Sequence, residues 1–327
     1  MNAILTEPLT GPAAWKGRDL KDDPSWVHIL SDEETDALDA ALAAAKARGR
    51  LFPATRREDV PLPALAPLLA RIADALEDGP GFVLLRGLPV EGRTEAEVAT
   101  LHYALGLHLG TPVTQNPRGD LIGRVEATGD PTRRETRVYQ TDRVLPYHTD
   151  PSDVVGLLCL RRAKAGGESS LVSAASIHNA LLEDAPESLG ALYRPFHYAH
   201  LSTEGAGRSP LFSYHGGKLA CRYLRQYIEL GHEQQGEPLT AVERAALDAF
   251  DAAMNRPDLA LDMMLEPGDL QLANNYMVLH ARTEFEDDPA HRRLMLRLWL
   301  KMANARALAP DFPGRNGFGA SRSVERS

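Results

Sequence analysis

The sequence predicts an α+β, mainly β domain in which helices wrap an antiparallel β core. Three observations lead there. Ala/Leu-rich helical segments crowd residues 31–110. Short β-rich runs fill 120–175 and return in the last third. No shift in composition marks a linker, so one domain is expected over 1–327. An apolar share of 43% allows a sizeable core, and a charged share of 25% argues against global disorder.

Each element has a local reason. Residues 1–25 are polar and broken by Pro and Gly, an irregular lead-in. Ser31 and Glu34 fit a capping box before a helix that ends near Gly49. A second helix is expected over Leu65–Leu76, stopped at Gly79, and GFVLLRGL (81–88) is a buried strand. Thr94 and Glu97 cap a third helix running to Gly110. LIGRVEA, TRVYQ, DVVGLLCL and SSLVSA then read as strands. Helices return at 175–193 and at 240–255, where Thr240 and Glu243 form another cap. LALDMML, DLQLANN, MVLHART and RLMLRLWLKM close the core, and the Gly/Ser/Arg-rich tail from about Pro313 should fray.

Composition excludes several functions. The net charge of −9 disfavours non-specific nucleic-acid binding. Two cysteines, Cys159 and Cys221, cannot build a disulfide framework, an all-cysteine zinc site or an iron–sulfur cluster. No apolar run approaches a membrane span, and MNAILTEPLTGPAAWKGRDL lacks the basic and apolar regions of a secretory leader. A cytoplasmic chain without membrane or nucleic-acid partners is expected. Walker A, GxSxG and HExxH motifs are absent, and the spaced glycines of GRNGFG lie in the tail.

The chemistry concentrates in four places. In Pro146-Tyr147-His148-Thr149-Asp150, residues two apart share a face of an extended chain, so His148 and Asp150 can reach one metal ion. One nitrogen and one carboxylate suit Fe(II), Mn(II) or Zn(II). Alone, the triplet also fits a surface histidine beside a carboxylate. His280, in NNYMVLHARTEF, fits a buried structural histidine equally well. In the strand 292–300, Arg293, Met295, Arg297 and Trp299 share one face and leucines the other. Trp299 and Met295 imply that the basic face is enclosed, and an enclosed guanidinium needs an anion. Gly166-Gly167-Glu168-Ser169 reads as a tight turn whose serine can donate to the same anion.

The order HxD, GGxS, distant His, then Arg resembles the taurine dioxygenase-like group of Fe(II)/2-oxoglutarate-dependent oxygenases, over roughly residues 80–302. The resemblance implies a double-stranded β-helix, a distorted jelly roll flanked by helices. It implies His148, Asp150 and His280 as the facial triad on Fe(II), Arg293 on the distal carboxylate of 2-oxoglutarate, and Arg297 near the substrate or cosubstrate. Ser169 falls where the family often has a threonine. It further implies O2 as the oxidant and hydroxylation of an unactivated C–H of a small polar metabolite, with release of succinate and CO2. Asp150 argues against halogenation, which in such enzymes replaces the carboxylate by a small residue.

Gln115 and Asn116 lie where relatives place polar substrate contacts; Tyr147 and Arg225 are further substrate candidates. Desaturation, cyclisation or oxidative cleavage would use the same cofactors. A Zn- or Mn-dependent hydrolase would use the same triad, but leaves Arg293, Arg297 and Ser169 unexplained. A non-catalytic binding protein would not need all of these residues. A homo-oligomer remains compatible with the sequence.

Overall fold

The computed structural model describes residues 4–116, 118–129, 140–199 and 206–314. Two sheets face each other, each backed by helices. The larger has the strand order Val27–Ile29, Phe82–Arg86, Leu270–Asn274, Val154–Arg161, Leu294–Met302, Gly110–Val113, and Ile122–Val125 also pairs with Leu294–Met302. The smaller runs Leu261–Met263, Ser169–Ser173, Val278–Arg282, Leu145–His148, all antiparallel. This is the helix-flanked two-sheet core of a double-stranded β-helix.

Alternation along Leu294–Met302 assigns its two faces. Leu296, Leu298 and Leu300 pack outward on the helices Asp32–Ala47, Ala66–Glu77 and Glu95–Leu109. The contact is tight: a Cβ on Gly106 would stand 2.4 Å from Leu298 Cδ2. Met295 and Trp299 turn inward, joining Phe82, Val155, Leu171 and Val278 between the sheets. The outer face of the smaller sheet, through Val172 and Leu279, packs on the helices Ala174–Asp184 and Ala241–Met254.

The three capping boxes form as the sequence predicts, at Ser31/Glu34, Thr94/Glu97 and Thr240/Glu243. The segment around Arg225 is a helix, Arg225–Gln235, although its sequence carries no side-chain N-cap. It packs on the strand Pro195–Ala199, so tertiary contact supplies what capping does not. Of the expected strand TRVYQ, all but Gln140 lies outside the described residues, as does the tail beyond Gly314. Among the described residues no helix is long and apolar enough to cross a membrane.

Candidate metal centre and adjoining cavity

Sheet pairing places the first two candidate ligands. His148 and His280 are direct cross-strand partners, with ring centroids 4.3 Å apart. Between His280 and Arg282 the register slips, because Leu145–His148 carries one extra residue. Such a bulge re-aims side chains at the end of a strand. Asp150 lies just past that end. Its Oδ1 is 3.9 Å from His148 Nε2 and its Oδ2 is 3.7 Å from His280 Nε2. One ligand atom from each residue falls within 4.8 Å of the others, and all three residues are buried.

The electrostatics suit a divalent cation. The Pro146 carbonyl accepts from His148 Nδ1 at 2.9 Å, which leaves the Nε2 lone pair facing the cluster. Burial pushes both imidazoles down, His280 to about 3, so they are neutral as a metal requires. Burial opposes ionisation of Asp150, but Arg297 and the two histidines, with the Trp299 N–H, hold its carboxyl below its ordinary value. A buried cluster of two neutral nitrogens and one carboxylate fits a mononuclear metal.

A ring of contacts fixes the carboxylate. Trp299 Nε1 donates to Asp150 Oδ2 at 2.9 Å, and Arg297 approaches Oδ1 at 3.6 Å. The Arg297 guanidinium lies 4.5 Å above the Trp299 ring and donates from Nε to Gln115 Oε1 at 2.8 Å. Gln115 Nε2 donates back to the Arg297 carbonyl at 2.5 Å and to that of Leu121 at 2.9 Å. The Asp150 backbone N–H donates to Asn275 Oδ1 at 2.9 Å.

Beside the cluster opens a cavity lined by His148, His280, Ser169, Arg282, Arg293 and Arg297, among others, with no carboxylate in its lining. Arg293 is 6% exposed, yet its side chain forms no hydrogen bond or ion pair among the described residues. Its guanidinium stands 5.3 Å from the Phe285 ring. Burial pushes Arg293 and Arg282 down to about 10, which leaves both cationic at neutral pH. Ser169 Oγ donates to Gln271 Oε1 at 2.6 Å. Gln271 Nε2 is buried without a partner among the described residues, so flipping that amide would put its N–H on Ser169 and free the serine proton for a ligand. Gly167, at φ +78°, lets the backbone pass Arg293: a Cβ there would stand 3.0 Å from Arg293 Nε.

The structure thus brings His148, Asp150 and His280 together, and Ser169, Arg293 and Arg297 beside them. The expected substrate candidates fall elsewhere, and none of the four lines the cavity. Gln115 is buried and committed to Arg297. Asn116 donates to Asp120 at 2.7 Å. Tyr147 alternates away from His148 and meets Ser170 Oγ at 2.5 Å. The Arg225 guanidinium is shared among Glu229, Asp248 and Asp251. Sequence reasoning passed over Arg282, whose signal was its place two residues after His280 on one strand face. It also passed over the Trp299 bond to Asp150, which spans 149 residues of chain.

Comparison with known proteins agrees with this geometry. Residues 45–299 match the family described as taurine catabolism dioxygenase TauD, TfdA family. The chain is 36% identical to the FR-33289 synthase of Streptomyces rubellomurinus, over 94% of each chain. A structure of asparagine oxygenase with Fe(II), 2S,3S-3-hydroxyasparagine and succinate aligns at TM-score 0.65 and 22% identity, covering 84% of this chain and 93% of that one. The non-heme iron oxygenase OrfP with Fe and alpha-ketoglutaric acid aligns at TM-score 0.62 and 16% identity, covering 84% and 94%. With a buried His-Asp-His cluster on the shared fold and a family match across most of its length, the chain belongs to the TauD/TfdA family and is an oxygenase of the Fe(II)/2-oxoglutarate-dependent type.

Proposed function

We propose that this chain hydroxylates an unactivated C–H bond of a small polar metabolite, with Fe(II) on His148, Asp150 and His280 and with 2-oxoglutarate as cosubstrate. The observation that carries the reading is the adjacency of the buried triad to a cavity lined by a buried cation, Arg293, that forms no ion pair among the described residues. Bound iron, 2-oxoglutarate and O2 supply the oxidising power: the cosubstrate leaves as succinate and CO2, and one oxygen atom ends on the substrate carbon.

The residues have separate tasks. His148 and His280 offer neutral nitrogens and Asp150 one negative charge, three donors that would hold the iron and leave it positions for other ligands. Trp299 and Arg297 orient the carboxylate, and Gln115 holds Arg297 in place. Arg293 takes the distal carboxylate of 2-oxoglutarate, with the Ser169 hydroxyl as a further donor. Removing a buried cation from water without a partner is costly, and a dicarboxylate relieves that cost. The arginine-rich lining favours anionic ligands, in keeping with a polar substrate.

The test is an anaerobic titration of apo-protein with Fe(II) and then 2-oxoglutarate, read by the visible metal-to-ligand charge-transfer band. The band should form in the wild type and vanish in His148→Ala. Folded, iron-loaded protein that gives no band would refute the reading.

A further inference from the structure

Arg293 is not the only buried cation beside Phe285 in the cavity lining. Arg282 also lines it, is 5% exposed, and faces the same aromatic ring: its guanidinium lies 4.6 Å over Phe285, where that of Arg293 lies at 5.3 Å. Two like charges on one ring repel. Asp287 attracts both guanidiniums and Asp142 attracts Arg282, but among the described residues no carboxylate comes within ion-pair distance of either, a poor arrangement for stability alone.

The hydrogen bonds of Arg282 show which part of it is committed. Nε donates to the Thr283 carbonyl at 3.1 Å. NH2 donates to the Thr141 carbonyl at 3.0 Å and to the Arg143 carbonyl. NH1 is buried and has no partner among the described residues, and the same is true of Arg293 NH1. The guanidinium is therefore held rigidly by three carbonyls while one amino group is left over. Pairing sets its position: Arg282 lies opposite Ser169 on the neighbouring strand, and on the other side it follows the bulge after His280. The alternation that points His280 at the metal cluster also points Arg282 into the cavity.

We propose that Arg282 is a second anchor for the distal carboxylate of the cosubstrate. Its NH1 and the Arg293 guanidinium grip that carboxylate from two sides, and Ser169 lies across the strand pair. This rests on the proposed use of 2-oxoglutarate. The two arginines have different mechanical characters. Among the described residues Arg293 has no side-chain hydrogen bond and is placed by packing against Gly167 and Phe285, whereas Arg282 is fixed beforehand by backbone carbonyls. The anchor also ties cosubstrate to the segment 141–143, which leads into the His148 strand.

The test compares two 2-oxo acids of equal length: 2-oxoglutarate, and 2-oxopentanoate, which carries a methyl group in place of the distal carboxylate. Equilibrium binding to the full-length Mn(II)-loaded protein is measured by calorimetry under anaerobic conditions, so no turnover is involved. Wild type should bind 2-oxoglutarate far more tightly. In Arg282→Met, 2-oxoglutarate should weaken about 10- to 100-fold, as expected for a lost charge-assisted hydrogen bond, while 2-oxopentanoate changes less than about 3-fold. Arg282→Lys should recover part of the loss.

If both acids weaken equally in Arg282→Met, Arg282 serves only the 141–143 backbone and the proposal is wrong. If neither weakens, it is also wrong. If wild type fails to bind 2-oxoglutarate at all, the proposed function itself falls, and this inference with it. Should Arg282→Met not fold, the Lys variant decides by the same comparison, with a selective loss of 2-oxoglutarate in favour and an equal loss of both acids, or no loss, against.

Discussion

Trp299→Phe isolates one hydrogen bond at the metal centre. The phenyl ring keeps the bulk of the residue between the sheets, and its face remains available to the Arg297 guanidinium, now 4.5 Å away. What is lost is the N–H that meets Asp150 Oδ2 at 2.9 Å in a buried site. A hydrogen bond to a charged group is worth about 1.5–3 kcal/mol. A comparable loss of orientation at a metal-binding carboxylate corresponds to roughly 10- to 100-fold in metal affinity. The Asp150 backbone remains tied to Asn275, and Arg297 still faces Oδ1, so the carboxylate should swing rather than leave. The assay is an anaerobic titration with Fe(II), or with Mn(II) as a redox-stable substitute, run beside a thermal melt of the apo-protein. Expected are weaker metal binding by that factor and a destabilisation of about 1–3 kcal/mol. Wild-type metal affinity in a folded variant would refute the argument that Trp299 orients this ligand.

Other outcomes follow from the same contacts. Arg293→Ala should weaken 2-oxoglutarate by about 30-fold or more while metal binding stays near wild type, read by the two stages of the anaerobic titration; equal cosubstrate affinity would move the anchor elsewhere. Gly167→Ala places a methyl 3.0 Å from Arg293 Nε and at a backbone φ of +78°, so it should lower cosubstrate affinity and stability together, measured by calorimetry and melting. Glu97 is held down to about 2 by Lys46 and by its cap bonds to Thr94. Its contribution is therefore present above the ordinary value of 4.5 and lost as pH falls through about 2. Glu97→Gln should be less stable than wild type near pH 7, and the gap should close on acidification, read from denaturant melts across that window.

Much of the site could be read in the chain because strand geometry is local. His148 and Asp150 are two residues apart, and Arg293, Met295, Arg297 and Trp299 alternate with leucines. Both facts convert directly into shared faces. The capping boxes are likewise complete within four residues each. What escaped depends on pairing across long stretches. Gln115 resembles a substrate contact until the strand 294–302 brings Arg297 to it across 182 residues. Arg225 resembles an anion receptor until its helix meets Asp248 and Asp251 on the next one. Arg282 had the right periodicity, but nothing near it in sequence marks the carbonyls of Thr141 and Arg143 as its partners, 141 and 139 residues away.

The direct opposition of His148 and His280 has a consequence for how the small sheet assembles. A slip of one residue between their strands would turn one imidazole to the far side and dissolve the donor set, since side chains alternate at every step. Only one alignment of these two strands can therefore bind an ion through both rings. Any ion so bound adds its full affinity to that alignment and nothing to the competitors. A metal held there would act as a proofreader of strand pairing, favouring closure of the β core in the one frame that also brings Ser169 and Arg282 face to face across the next pair of strands.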